Sequence, residues 1–180
     1  MAHGVRQPQK IARFVLGIDP GLDRTGYAVI DAGGPRVLDA GLIRSSSEQP
    51  LERRLVEIEA GLNDLLEEHP VELVAVEQLY AHYKHPRTAI LMGHARGVVL
   101  LAAARRRIAL QSLPATRVKK SLTGNGHASK LQMQRAIAHV LQLDALPEPA
   151  DVADALAIAL CAIATQQDEA QLSNAAEGAA

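Results

Sequence analysis

Val15-Leu16-Gly17-Ile18-Asp19-Pro20-Gly21 decides how the chain is read. A short apolar run ending in an acid and followed at once by Pro-Gly predicts a buried β-strand that stops at a tight turn. The Asp19 carboxylate then stands at the strand's C-terminal edge. Working outward, Phe14 to Asp19, Gly26 to Asp31 and Val37 to Arg44 are β-prone runs separated by Pro20-Gly21 and Gly33-Gly34-Pro35. They predict an antiparallel meander. Leu51, Leu55, Ile58, Leu62, Leu65 and Leu66 recur at helical spacing up to His69-Pro70, an amphipathic helix. Leu73, Val74 and Val76 form a second buried strand, and this too ends in an acid, Glu77. Further elements are a helix from about Thr88 to Ala104, a strand from about Ile108 to Leu113, and a helix from Ser129 to Leu141 with Ser129 and Gln132 as its capping box. A last helix starts near Asp151 and passes through Ile158, Cys161 and Ile163. Strands followed by alternating helices and strands imply an α/β domain with a mixed sheet.

At 180 residues the chain fits one domain, expected over 13–165, with an N-terminal extension at 1–12 and a frayed tail at 166–180. Its 48% hydrophobic and 22% charged residues exclude disordered and low-complexity classes. The longest apolar run, Val98 to Ala104, is too short for a membrane span, and Met1 to Arg13 lacks the apolar stretch of a signal peptide. A cytoplasmic protein with no membrane partner is expected. The single Cys161 has no cysteine to pair with and reads as core.

The net charge of -1 hides a segregation. Between Gln78 and Leu143 there is no Asp or Glu, while 11 Lys and Arg fall there, among them Arg96, Arg105 to Arg107, Arg117, Lys119, Lys120 and Lys130. Such a block suits a polyanion, because cations gain affinity by releasing counterions from phosphates. Arg105 to Arg107 read instead as solvated cations at a helix C-terminus. Folding can also wrap such a window around the whole domain.

Asp151 and Asp154 lie three apart, on one face of a helix's first turn. Either alone is an ordinary helix N-terminal acid, and Asp19 alone is a turn residue. Together with Glu77 they are four carboxylates able to converge at one sheet edge. Oxygen-only ligands suit a hard cation such as Mg2+ or Mn2+, and paired ions of this kind promote phosphodiester hydrolysis. Only four aromatics occur, and Tyr80 and Tyr83 follow Glu77 in a basic segment, where a ring can stack on an unpaired base or merely anchor a loop. Ala89, Gly93 and Gly97 recur every fourth residue in an otherwise apolar helix, which predicts close helix contact at a homodimer interface.

In order along the chain, Leu16-Gly17-Ile18-Asp19-Pro20-Gly21 with Thr25-Gly26-Tyr27, Glu77-Gln78-Leu79-Tyr80, Gly93-His94-Ala95-Arg96-Gly97, Arg117-Val118-Lys119, Gly124-Asn125-Gly126 and Asp151-Val152-Ala153-Asp154-Ala155-Leu156-Ala157-Ile158-Ala159 resemble the motifs of the RuvC family of Holliday junction resolvases. The resemblance spans about Val15 to Ile163. It implies a ribonuclease H-like fold with a mixed five-stranded sheet flanked by helices. It also implies a homodimer that cuts four-way DNA junctions by paired symmetric nicks, leaving 5'-phosphate and 3'-hydroxyl ends in recombination and repair. Two ions per active site are implied, Mg2+ with Mn2+ also serving, and a branch-migration complex of helicase motor and junction-binding protein as partner. By position, Asp19, Glu77, Asp151 and Asp154 match the family's catalytic, metal-binding acids. Lys119 and Lys130 match its basic residues near the scissile phosphate, with Lys120 adjacent. Tyr80 stands where members often carry phenylalanine, and Ala81 to Arg87 depart from the pattern. Rival readings are an actin-like phosphotransferase, which also uses a Gly-Ile-Asp-Pro-Gly turn but needs two such domains; a non-catalytic junction-binding module; and a nuclease of RNA-DNA hybrids.

Overall fold

The structure, a computed structural model, describes residues 11–79 and 86–177. Five strands, β1 (Phe14–Asp19), β2 (Arg24–Asp31), β3 (Arg36–Arg44), β4 (Leu73–Glu77) and β5 (Ala109–Leu113), form one sheet in the order β3-β2-β1-β4-β5. β1 to β3 are the antiparallel meander, and β4 and β5 run parallel to β1. Five helices are described: α1 (Leu51–Glu68), α2 (Pro86–Arg105), α3 (Ala115–Thr123), α4 (Lys130–Leu141) and α5 (Ala150–Glu177). The mixed five-stranded sheet flanked by helices is therefore as expected.

Strand alternation sorts the core into two layers. Leu16, Ile18, Val74 and Val76 face Ile58, Leu62 and Leu65 of α1 and Ala95, Val99 and Ala102 of α2. Val15, Leu73 and Ala75 face the other way, onto Val118, Met133, Ile137 and the apolar run of α5. Cys161 is fully buried in this second layer. Continuing the same period places Asp19 and Glu77 on the α5 side.

Two glycines let α5 lie unusually close to the sheet. A Cβ on Gly17 would fall 2.2 Å from the Ala155 carbonyl oxygen, and one on Gly26 would fall 2.0 Å from that of Asp151. Only a residue without a side chain fits against helix backbone at that distance. The first turn of α5 is thus pressed against the β1–β2 pair.

Three sequence expectations change. The chain from Gln166 is helical as far as Glu177 rather than frayed, and the Gln166 side chain accepts a hydrogen bond from the Ala12 backbone N–H at 2.7 Å. α3 was not anticipated as a helix. Arg105 and Arg106 are not merely solvated: Arg105 pairs with Glu59 at 2.6 Å and Arg106 with Glu67 at 3.0 Å, tying the end of α2 to α1. Arg105 and Arg106 of the basic window are therefore engaged within the subunit.

Candidate active site

The site grows out of strand register. Ile18 pairs with Val76 in the parallel ladder, so Asp19 and Glu77 leave neighbouring strands at the same end. Asp19 lies opposite Gly26 on β2, and Gly26 is the residue packed on Asp151. The first turn of α5 therefore delivers Asp151 and Asp154 to the two strand ends.

The electrostatics follow from this convergence. Burial, followed by the like charges of Asp154, Glu77 and Asp151, pushes the Asp19 carboxyl up to about 7 despite opposition from Lys130. Burial and Asp154 raise Glu77, with Lys119 opposing. Asp154 is raised by burial and by Asp151, and lowered by Lys130 and Lys119. Asp19, Glu77 and Asp154, all raised, resist being ionised together without a cation. Lys119 from α3 and Lys130 from α4 flank them from the α5 layer.

Local structure accounts for both lysines. Lys130 is the first residue of α4, where the helix dipole disfavours a cation, and the capping box that fixes it is complete: Ser129 Oγ accepts from the Gln132 N–H at 3.3 Å and Gln132 Oε1 from the Ser129 N–H at 2.8 Å. Its nearness to Asp19 and Asp154 offsets the dipole. α3 is capped by Pro114 before it and by a left-handed Gly124, φ 72, after it. Two neighbouring positions on that helix face different ways. Lys119 meets the acids, whereas Lys120 lines a different recess with Arg117, Ser121, Thr165 and Asp168. The structure does not bring Lys120 to the carboxylates. Tyr80 lies outside the described residues.

Other residues support the site without having been anticipated. Arg96 of α2 donates through Nε to the Glu77 carbonyl at 3.0 Å and through a terminal nitrogen to Ser112 Oγ at 2.7 Å, fixing the end of β4 against β5. Arg54 pairs with Asp23, and Ser45 Oγ donates to the Leu22 carbonyl, so the turn after Asp19 is anchored to β3 and α1. Arg24 reaches Asp151 at 3.5 Å. Asp19, Arg24, Thr88, Leu91, Met92 and Asp151 are among the residues lining an open cleft of about 400 Å³. The sequence signals for Arg96 were the acid-free stretch around it and its place in Gly93-His94-Ala95-Arg96-Gly97.

Among the described residues, no three His, Cys, Asp or Glu side chains are gathered tightly enough to hold a metal ion as they stand. The donors nevertheless fit a hard cation, being carboxylate oxygens only. Mg2+ commonly takes one or two carboxylates and completes its octahedron with water and substrate phosphate, so an open set of acids suits it.

A model of the family described as "Crossover junction endodeoxyribonuclease RuvC" matches residues 15–162, the stretch from β1 into α5 that carries all four acids and both flanking lysines. The chain belongs to the RuvC family. The RuvC crossover junction endodeoxyribonuclease of Rhodopirellula baltica is 55% identical to it over 152 residues, covering 83% of this chain and 85% of that one. The Thermus thermophilus RuvC structure superposes with a TM-score of 0.79 at 32% identity, covering 86% of this chain and 96% of that one. T. thermophilus RuvC in complex with Holliday junction substrate gives 0.77 at 32% identity, covering 87% and 96%. As a RuvC-family member the chain is an endodeoxyribonuclease, a hydrolase dependent on divalent metal.

Proposed function

We propose that this chain acts as a homodimer that resolves four-way DNA junctions by paired symmetric nicks, leaving 5'-phosphate and 3'-hydroxyl ends, in recombination and repair. The observation that carries this reading is the convergence of Asp19, Glu77, Asp151 and Asp154 at one sheet end between Lys119 and Lys130. Two divalent ions, Mg2+ or Mn2+, held among these four acids would supply Lewis-acid activation of water and stabilise the leaving 3' oxygen. Asp19 and Asp154 orient the attacking side, Glu77 the leaving side, and Asp151 completes the ligand set. Lys119 and Lys130 neutralise charge that develops on the phosphate. Tyr80 offers a ring for a base that leaves the stack, while Lys120 serves a DNA contact away from the cut.

Dimerisation is supported by α2. Ile90 is 61% and Leu101 47% exposed, and with Gly93, Gly97 and Ala104 they form one outward stripe at about one-turn spacing. A Cβ on Gly93 or Gly97 would touch nothing, so these glycines are not there for packing within the subunit. Small residues on an open apolar stripe admit a second helix closely. Among the described residues no helix is long and apolar enough to cross a membrane, and we place the enzyme's work on DNA in the cytoplasm, beside a branch-migration complex of helicase motor and junction-binding protein.

The test is to incubate the protein with a synthetic four-way junction, a matched linear duplex and an RNA-DNA hybrid, each with Mg2+, Mn2+ or EDTA, and to map products on a denaturing gel. Metal-dependent nicks at symmetric positions in the junction alone are expected. Tight binding without nicks would make the chain a binding module, and cutting of the hybrid alone would overturn the substrate.

A further inference from the structure

Arg24 has a place at the site that its sequence neighbours do not explain. Its backbone is held: it opens β2 in register with Arg44, the Thr25 hydroxyl donates to the Gly21 carbonyl at 2.8 Å, and the preceding Asp23 is paired with Arg54. Its guanidinium is not. The side chain is 53% exposed at the rim of the cleft that Asp19 and Asp151 line, and its Nε stands 3.5 Å from Asp151 Oδ2. A single-pronged ion pair of that length and exposure adds little to stability. It leaves most of the planar donor fork unused, although such a fork matches phosphate oxygens in pairs.

Asp151 is also one of the four acids proposed to hold metal. It cannot serve a divalent cation and the guanidinium equally well, because both compete for the same carboxylate charge. We propose that Arg24 is a DNA-backbone-binding residue that rests on Asp151 while the site is empty and is released to a phosphate of the bound strand when metal takes the carboxylate. Metal occupancy and grip on the DNA backbone are thereby coupled through one side chain. This rests on the junction-cleaving reading of the site.

The experiment uses the full chain carrying Glu77→Gln, so that bound junction stays uncut, with and without Arg24→Gln. Junction affinity is measured across a salt series in Mg2+ and again in EDTA. A phosphate contact contributes a slope of about 0.9 to the log-log plot of affinity against salt. In Mg2+, Arg24→Gln is expected to weaken binding several-fold and to reduce that slope by about 0.9; in EDTA, where Arg24 is held by Asp151, the slope should not change. Slopes that are equal for the two proteins in Mg2+, or that fall equally in both conditions, overturn the proposal.

Mn2+ titrated calorimetrically without DNA gives a second readout. Arg24→Gln in the otherwise native chain should bind Mn2+ several-fold more tightly, because its competitor for Asp151 is gone. Arg44→Gln removes the same charge from the neighbouring strand and should leave Mn2+ affinity as it is. An equal gain in both variants reduces the effect to net charge and also overturns the proposal. Urea midpoints for each variant separate these outcomes from unfolding. Cleavage by the native chain in the same preparation tests the underlying function, so failure of the Arg24 inference is distinguishable from failure of that reading.

Discussion

Two aspartates that end adjacent strands behave oppositely. Asp19 is pushed up to about 7 by burial and three neighbouring acids, while Asp31 is held below the ordinary carboxylate range by the Arg13 guanidinium and the Gly33 N–H. Arg13 reaches both Asp31 oxygens, at 3.1 and 3.0 Å, a fork-to-carboxylate pair. Because the folded pKa of Asp31 is depressed, its contribution is present above the unfolded value and lost as pH falls through the folded one. Asp31→Asn should therefore lower the urea midpoint at pH 7, and the gap from the native chain should close as pH drops below the carboxylate range. A gap that persists unchanged in acid would locate its cause elsewhere. Asp19→Asn belongs to function instead. It should cut junction cleavage at least about a hundredfold, the scale of losing a transition-state-stabilising group, while binding measured by gel shift remains, because Lys119 and Lys130 are untouched. The position of Asp19 was legible in Ile18-Asp19-Pro20-Gly21, but its titration was not. That depends on Glu77 and on two residues more than 130 positions away, which only the fold supplies.

Among elements, α5 decides whether there is a site at all, since its first turn brings two of the four acids. Gly17→Ala must move the Ala155 carbonyl, which is backbone and cannot rotate aside. Overpacking of this kind costs about 1–3 kcal/mol. The urea midpoint should fall accordingly, and cleavage per folded molecule should fall as Asp151 and Asp154 are lifted from Asp19. Loss of stability with full specific activity would contradict this account. The regular elements were legible wherever apolar periodicity ran long, as from Leu51 to Leu66. α3 leaves little apolar periodicity because it is short, contributes only Val118 to the buried core, and carries a cluster of basic residues. Pro114 before it and Gly124 after it were the available signals. The length of α5 is hidden for a related reason: beyond Thr165 it becomes polar, and composition alone does not separate an exposed helix from an unstructured tail.

For the whole molecule, the average charge was a poor guide and the distribution along the chain only a partial one. Lys119 and Lys130 reach the acids, but Arg105 and Arg106 are spent on α1, over 38 residues away in sequence. The dimer face is testable at this scale. Leu101→Glu puts a charge on the exposed α2 stripe, where it faces water in the isolated subunit. The variant should keep its fold by circular dichroism, run as a monomer in light scattering at micromolar concentration, and give unpaired single nicks. A dimeric mass would remove α2 from the interface.

α2 also borders the cleft through Thr88, Leu91 and Met92. In the proposed dimer, one rigid rod would thus carry both the seam between subunits and a wall of each cutting edge, and so act as a ruler. Sliding the two rods by one helical turn would move them about 5.4 Å relative to one another, more than the roughly 3.4 Å between successive phosphate levels along a strand. Variants that stay dimeric but reset that contact should alter the offset between the two cuts, leaving ends that can no longer be joined without trimming or filling.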